Sequence, residues 1–295
     1  MKIGTPTQVV NGPANFALVC DDFTRYFSRL FEYRRLDNTA DLMFIDPPYN
    51  IGIDYGPECN DRRSNEEYRV FLTSICTAAH DLLRPGGHFF LLVGEKQSLE
   101  TANSIVASWG READDWIILH EAFAQYNPSA LTREWRSLFH LVKLGATPTW
   151  NPDAIRVPSV RMKMGDKRAS GPRVPGNVWE PDDHILKIRR LQGTSLDRVD
   201  WHPAQLAPEL LTRLVRGWTN PGDLVVEGCC GSGSLARVAL REGRRYIGVD
   251  TNPEYLSKIQ QRLEQEFPNE ESKQETVLVL PPQEKEGQES PPCQG

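Results

Sequence analysis

The chain has no run of about 18 continuous apolar residues, the length a membrane helix needs, and its mean hydropathy is −0.49. Met1 to Val10 lacks a basic start followed by a long apolar stretch, so no secretion signal is read there. Cysteine is sparse: Cys20, Cys59, Cys76, Cys229, Cys230 and Cys293 show no CxxC spacing, and the 6 histidines add no paired ligands. A structural zinc site announces itself by such pairs, so no metal is expected, and the thiols read as reduced ones in a reducing compartment. These absences lead to the expectation of a soluble, cytoplasmic protein without metal chemistry.

Charge of one sign is also missing from the body of the chain. The net charge is −6, but the segment from Glu266 to Gly295 holds seven Glu and two Lys and carries −5 of it. Between Arg156 and Gly176, Arg156, Arg161, Lys163, Lys167, Arg168 and Arg173 face Asp166 alone. A basic patch on a nearly neutral body is compatible with a phosphate partner, whatever the overall balance.

What is present is an alternation of short apolar runs with helix-like stretches over 295 residues, the pattern of a parallel α/β sheet. Strands are predicted at Phe16–Cys20, Leu42–Ile45, His88–Val93, Trp116–Glu121, Ser137–Leu144, Asp223–Glu227 and Tyr246–Asp250. Helices are predicted at Thr24–Phe31, Glu66–Leu83, Ser98–Trp109, Ala207–Trp218, Ser234–Arg241 and Pro253–Glu266. Asn252 before Pro253 gives the last helix a capping residue followed by proline at its first position. Gly52–Asn65, polar and glycine-containing, reads as a mobile loop. Thr147–Asp200, rich in Pro, Gly and Arg without a strong period, reads as an inserted lobe. From residue 267 onward Glu, Gln, Pro and Ser prevail, too polar to order themselves, so 267–295 reads as a disordered acidic tail.

Two segments carry chemistry. In DLMFIDPPYN an apolar strand ends in Asp46-Pro47-Pro48-Tyr49, at the carboxyl edge where α/β ligands bind. The prolines stiffen the backbone, so the Asp46 carboxylate and the Pro47 carbonyl can both accept from one planar NH2 group. Tyr49 offers a face on which the ring bearing that amine stacks, worth about 1–3 kcal/mol. A plain proline turn with a surface tyrosine is the alternative. In DLVVEGCCGSGSLARVAL a strand runs through Glu227 into a turn containing Gly228, Gly231 and Gly233, then a helix. Glycines there permit tight turning and close approach of a nucleoside-type cofactor. About 20 residues on, RRYIGVD ends in Asp250, an acid placed to bind ribose hydroxyls.

Together these segments resemble the beta group of amino-methyltransferases, S-adenosylmethionine-dependent enzymes that methylate the exocyclic amine of adenine or cytosine in DNA. FALVCDDFTRYFSRL resembles the group's opening strand and helix, DLMFIDPPYNIGIDYG its catalytic motif, and EEYRVFLTSICTAAHDLLRPGGHFFLLV the next helix–strand unit. NVWEP, GTSLDRVDWHPAQLAPELLTRLVRGWTNPGDLVVEGCCGSGS and GRRYIGVDTNPEY follow in the group's order. The stretch from Trp201 to Tyr255 is the most specific. The PPY half preceding the glycine-rich half matches the group's permutation. The resemblance implies a permuted Rossmann-like fold with a seven-stranded, mostly parallel sheet. Residues 1–146 form the catalytic half, 147–200 the inserted target-recognition lobe, and 201–266 the cofactor half of the same domain.

The resemblance also implies roles. Asp46, Pro47, Pro48 and Tyr49 hold and stack on a flipped base, with Asn50 beside the nucleic acid. Asp250 binds the ribose of S-adenosylmethionine, and Asp21 its adenine amine, although the adjacent Asp22 remains an alternative. Glu227 and Gly231-Ser232-Gly233 face the methionine part, with Ala204 and Gln205 at the side. Arg156, Arg161, Lys163, Lys167, Arg168 and Arg173 meet double-stranded DNA. Members of the group often dimerise, and some accompany a restriction endonuclease.

The chain departs from the group's pattern in three ways: Glu227-Gly228-Cys229 replaces Asp-Pro-Phe, Ala204 and Leu206 replace a Thr and a Lys, and Ser234 replaces Thr. Adenine-N6 is the expected target, because cytosine-N4 members more often carry Ser where Asp46 stands. Cytosine-N4 transfer and a non-catalytic DNA-binding homologue with a decayed cofactor site are the rivals. Pro292-Cys293 in the tail resembles the nucleophile motif of cytosine-C5 enzymes, but nothing there positions a thiol for attack.

Overall fold

The computed structural model describes residues 8–11, 15–24, 39–56, 59, 61–120, 128–180 and 197–268. In chain order the strands are β1 (Gln8–Asn11), β2 (Phe16–Cys20), β3 (Ala40–Ile45), β4 (Leu83–Gly94), β5 (Asp115–His120), β6 (Trp135–Val142), β7 (Val178–Trp179), β8 (Leu224–Gly228) and β9 (Arg245–Asp250). The helices are α1 (Asn65–Leu82), α2 (Ser98–Trp109), the single turn α3 (Val160–Lys163), α4 (Pro208–Trp218), α5 (Ser234–Arg241) and α6 (Pro253–Glu266).

Every residue of β3 is buried. Leu42 and Phe44 enter one hydrophobic cluster, and Met43 and Ile45 the other, because successive strand side chains point to opposite faces. A strand apolar on both faces must be covered on both. Ile75, Cys76 and Ala79 of α1 and Ile105 of α2 cover the Met43 face. Leu210 and Leu214 of α4, Leu235 and Ala236 of α5, and Ile259 and Leu263 of α6 cover the Phe44 face.

The strands form one sheet in the order β1-β2-β9-β8-β3-β4-β6-β5-β7. The pairs β2–β9, β9–β8, β8–β3, β3–β4 and β5–β7 are parallel, while β1–β2, β4–β6 and β6–β5 are antiparallel. The α/β class and mostly parallel sheet hold, but among the described residues the sheet has 9 strands rather than seven. The two extra strands lie at the edges and escape pattern reading. β1 is QVVN, without an apolar alternation, and β7 is only 2 residues long. β4 reaches back to Leu83 across Pro85, because a register shift opposite Ala40 and Leu42 absorbs the intervening residues.

The helix boundaries rest on local chemistry. Ser64 and Glu67 form a reciprocal capping box at α1, the Glu67 N–H donating to Ser64 Oγ at 3.3 Å and the Ser64 N–H to Glu67 Oε2 at 2.8 Å. Gly110, at φ 67°, ends α2 in the left-handed conformation that glycine adopts freely. The Asn252 side chain accepts from the Glu254 and Tyr255 N–H groups at the start of α6, as expected.

Two boundaries move. Phe267 packs against the core and its N–H bonds Leu263 O at 2.8 Å, so the folded chain extends past residue 266. The segment expected as an inserted lobe is docked, in its described part, on the main core. Ile155, Val157 and Trp179 are buried; Ile155 lies over Gly217 of α4, where a Cβ would come within 3.2 Å of it. Trp150 and Trp179 pack around Trp218, with centroids 4.9 and 6.4 Å away. Between Val157 and Arg173, whose backbones pair as a neck, the chain loops away to carry α3. Glu121, the predicted helix beyond Thr24, residues 181–196 and the chain after 268 lie outside the described residues.

Candidate functional site

Ile45 of β3 sits opposite Gly228 of β8, so the next residues, Asp46 and Cys229, emerge side by side at the carboxyl edge. The helix after β8 lies on one face and the helix after β3 on the other, which opens a crevice between the two loops, the place where open α/β sheets bind ligands. Among the described residues the non-glycine positions with positive φ are Asn50 at 59° and Cys229 at 60°. Both lie in these two loops, and backbone strain of this kind gathers at functional sites.

The first motif is held from several directions. The Tyr49 hydroxyl donates to Asp46 Oδ1 at 2.5 Å. Gln97 Nε2 donates to the Tyr49 carbonyl at 2.6 Å, and Arg136 Nη1 lies 3.5 Å from the Tyr49 hydroxyl oxygen. Burial, and then the Asp46 charge, hold the Tyr49 phenol well above its ordinary pKa, so it remains a donor. Pro47 is buried, while Asp46, Pro48 and Tyr49 are half-buried. Sequence reading assigned Tyr49 a stacking face; the structure gives its hydroxyl a second task. Gln97 and Arg136 carried no local signal, because they come from the turn after β4 and from β6.

The loop that follows is built, not loose. The Asp61 carboxylate, 3% exposed, accepts the N–H groups of Asn50 at 2.6 Å, Ile51 at 3.2 Å and Ile53 at 2.8 Å. Asn50, expected beside DNA, is occupied within the chain: its Nδ2 donates to Arg63 O at 2.9 Å and its Oδ1 accepts the Arg63 N–H at 2.6 Å. The expectation of a mobile Gly52–Asn65 loop therefore fails for its described part. A buried carboxylate with three donors outweighs the polar, glycine-containing composition.

In the second motif the Asp250 carboxylate accepts from the Gly231 N–H at 2.8 Å and the Asn252 N–H at 2.9 Å. Gly231, at φ 46°, lies under His202, whose Nε2 would be 2.6 Å from an added Cβ. His202 stands between Tyr255, 5.0 Å between centroids, and Tyr55, at 6.1 Å. Burial pushes His202 down to a pKa of about 4, so the ring is neutral. This aromatic wall went unread, although His202 lies two residues before Ala204. Ala204 itself is exposed, its N–H donating to His202 Nδ1 at 3.3 Å. Gln205 works through its neighbours: Nε2 donates to Ser234 Oγ at 3.1 Å and Asp197 O at 2.8 Å, and Oε1 accepts the Val199 N–H at 2.8 Å. Ser232 and Ser234 hydroxyls are 3.1 Å apart, and Leu206 belongs to the core. Of the two adjacent acids, Asp21 turns its carboxylate to the Asp22 N–H at 2.8 Å. Burial raises the Cys59 and Cys229 thiols, and Asp22 is among the neighbouring acids that add to it, while its Oδ1 accepts from the Thr24 hydroxyl at 2.5 Å.

The crevice is acidic. Burial holds the Glu227 carboxyl well above its ordinary value, with Asp46 and Asp250 adding to it and a hydrogen bond from the Tyr246 hydroxyl opposing. Burial also raises Asp250, against the pull of its backbone donors. The Cys229 thiol, pushed up first by burial, feels Asp250, Asp22 and Asp46 together. A cation placed among these carboxylates is stabilised, and the phosphates of a dinucleotide are repelled. S-adenosylmethionine, whose sulfonium and ammonium outweigh its single carboxylate and which carries no phosphate, fits this set of acceptors.

The basic residues are elsewhere. Arg161, Lys163, Lys167, Arg168 and Arg173 are exposed and Arg156 is half-buried. Arg156 pairs with Asp153 at 2.6 Å and Arg168 with Asp166 at 3.1 Å. The segment leads into β7, and β4, β6 and β5 stand between that strand and β3.

A family model described as DNA methylase, covering N6 and N4 enzymes, matches residues 40–261. The type II methyltransferase M.HpaI of Haemophilus parainfluenzae is 26% identical over 265 residues, spanning 90% of this chain and 79% of its own. The DNA adenine methyltransferase YhdJ of Escherichia coli is 26% identical over 247 residues, spanning 77% and 76%. In fold, the chain is similar to the PvuII DNA methyltransferase (cytosine-N4-specific), with a TM-score of 0.64 and 15% identity over 90% of this chain and 92% of that one.

Proposed function

The chain belongs to the N6/N4 DNA methylase family, with S-adenosylmethionine as cofactor, and from that premise we propose that it methylates the exocyclic N6 amine of adenine in DNA. The observation that carries the reading is the pairing of Ile45 with Gly228, which sets the Asp46 carboxylate against the glycine-rich turn in one acidic crevice. Asp46 rather than Ser at the head of the motif supports adenine, as does the relative YhdJ, an adenine methyltransferase by name.

Bound S-adenosylmethionine supplies an electrophilic methyl group on a sulfonium. The residues of the chain hold the other reactant. The lone pair of the target amine is delocalised into its ring, which makes it a poor nucleophile. Accepting its hydrogens at Asp46 and the Pro47 carbonyl favours a pyramidal nitrogen and stabilises the positive charge that develops. The base must leave the duplex to reach this pocket, at a cost of a few kcal/mol, and stacking on Tyr49 offsets part of it. Asp250 holds the ribose, Glu227 and the Gly231–Gly233 turn face the methionine part, and Asp22 or Asp21 meets the adenine amine. Arg161, Lys163, Lys167, Arg168 and Arg173 supply phosphate contacts, so affinity falls steeply with salt. The likeness in fold to a cytosine-N4 enzyme keeps N4 transfer as the second reading.

Incubation with tritium-labelled S-adenosylmethionine and mixed-sequence duplex DNA, followed by digestion to nucleosides, tests both. Label in N6-methyladenosine is expected, and it vanishes in Asp46→Ala while DNA binding persists. Label in N4-methylcytosine overturns the base assignment. No label on DNA overturns the activity.

A further inference from the structure

The Asp46 carboxylate is the acceptor on which the proposed transfer turns, and a carboxylate at the head of a loop needs something to fix its rotation. Tyr49 does this directly, through the 2.5 Å bond from its hydroxyl to Oδ1. Tyr49 is in turn held at three points by residues outside both motifs. Gly94, at the end of β4, leaves room for the ring, since a Cβ there would come within 3.3 Å of Tyr49 Cδ2. Gln97 fixes the backbone through the Tyr49 carbonyl at 2.6 Å. Arg136 lies directly across from Gly94 on β6 and aims Nη1 at the hydroxyl oxygen from 3.5 Å.

We infer that Arg136 is a positioning residue for methyl transfer, acting through the Tyr49 hydroxyl on the Asp46 carboxylate. The inference rests on the reading of Asp46 as the amine acceptor. A phenol can donate or accept, and an unconstrained Tyr49 would sample both. A guanidinium has donors only, so facing Arg136 the phenol oxygen is restricted to accepting on that side. Its own proton is then directed to Asp46. The contact is long for a hydrogen bond but close for a charge acting on a dipole, and polarising the O–H strengthens the bond it makes beyond. With Oδ1 engaged by Tyr49, the carboxylate presents itself to the target amine in one rotation. A phenylalanine at position 49 would stack equally well and leave the carboxylate free to turn. Arg136 itself touches neither base nor cofactor in this scheme.

The test is a double-mutant cycle on the full chain with Tyr49→Phe, Arg136→Met, both together, and Arg136→Lys as the conservative variant. Tritium transfer from S-adenosylmethionine to mixed-sequence duplex DNA is followed in a single turnover, beside DNA affinity by filter binding, cofactor affinity by calorimetry and thermal melting. Tyr49→Phe is expected to slow transfer about tenfold, the loss of its charge-assisted hydrogen bond to Asp46, and Arg136→Met, which releases the direction of that bond, to slow it severalfold and by no more than Tyr49→Phe. Both affinities should stay within about twofold. The double variant should be no slower than the slower single one, and Arg136→Lys should regain most of the rate. Additive losses in the cycle overturn the inference, as does a full rate in Arg136→Met. A loss in Arg136→Met that follows melting or DNA affinity, with Arg136→Lys no better, overturns it too. A wild-type chain that transfers no label fails the proposed activity itself, a result distinct from all of these.

Discussion

At the scale of single residues, the crevice gathers negative charge before any ligand arrives, and that sets what each carboxylate contributes. Asp250 accepts the backbone N–H groups of Gly231 and Asn252, so it organises the turn, and the proposed function gives it the ribose as well. Asp250→Asn keeps the size but replaces an acceptor-only group with a half-donor amide. It should weaken S-adenosylmethionine binding by about tenfold or more, the loss of a charge-assisted bond, while DNA affinity in the absence of cofactor stays unchanged. Calorimetry with the cofactor alone reads this directly, and an unchanged dissociation constant removes Asp250 from the cofactor site. The residues legible in the sequence were those with a fixed place in a short motif: Asp46, Tyr49, Glu227, Gly231 and Asp250. His202, Gln97 and Arg136 were not, because their roles come from packing across strands, and a lone His, Gln or Arg has no period or spacing to announce it. Ala204 and Gln205 were expected at the side of the cofactor, and in the structure Gln205 bonds Ser234 and the chain around Asp197.

At the scale of elements, the loop after the first motif shows why composition misleads. Polar residues and glycines suggest mobility, yet one buried acid collects three N–H groups and converts the stretch into a fixed turn. Asn50 can sit at φ 59° because asparagine tolerates the left-handed region, and its amide then closes the turn against Arg63. Asp61→Ala leaves three part-buried N–H groups without their acceptor. Each unsatisfied group costs about 1–3 kcal/mol when water cannot replace the partner, and the loop can relax toward solvent, so the net loss should lie near 2–3 kcal/mol. A urea titration reads the stability. Amide exchange should quicken at Asn50, Ile51 and Ile53, while Ile75 and Cys76 of α1 stay protected. Unchanged protection in the turn would show that the backbone, not Asp61, defines it. The docked segment that carries α3 teaches the same lesson: its Trp, Ile and Val residues are too widely spaced to show a period, yet Ile155, Val157 and Trp179 are core.

At the scale of the whole molecule, the α/β class and the mostly parallel sheet were readable from the alternation of apolar runs with helix-like stretches, and the order of the strands came from the structure. The edge strands were not, being too short to carry alternation. The interior also holds a property that no motif shows. His88 lies between β3 and β6, its Nδ1 3.1 Å from His140 Nε2, and His140 Nδ1 is 3.0 Å from Asp115. Burial, and then His140, push His88 down to a pKa of about 3, and burial alone takes His202 to about 4. An unfolded chain protonates both near 6.5. Below that value the unfolded state therefore binds more protons than the folded one, and stability falls as pH falls, continuing down to the folded values. Above 6.5 neither group contributes a slope. Glu227 and Asp250 act in the opposite sense: their raised folded values favour the fold below the ordinary carboxylate range, and that support is lost as pH rises through the folded values. The carboxyls and the imidazoles oppose one another, so the sign is fixed in the comparison: between pH 6.5 and 5, His88→Phe should remove up to one proton of acid destabilisation from the urea midpoints of the cofactor-free protein, about 1.4 kcal/mol per pH unit. The slope is the quantity to compare, since the substitution also changes packing and so the absolute level. An identical slope in the variant would mean that His88 is protonated in the fold, and that the pair with His140 carries a charge inside the sheet.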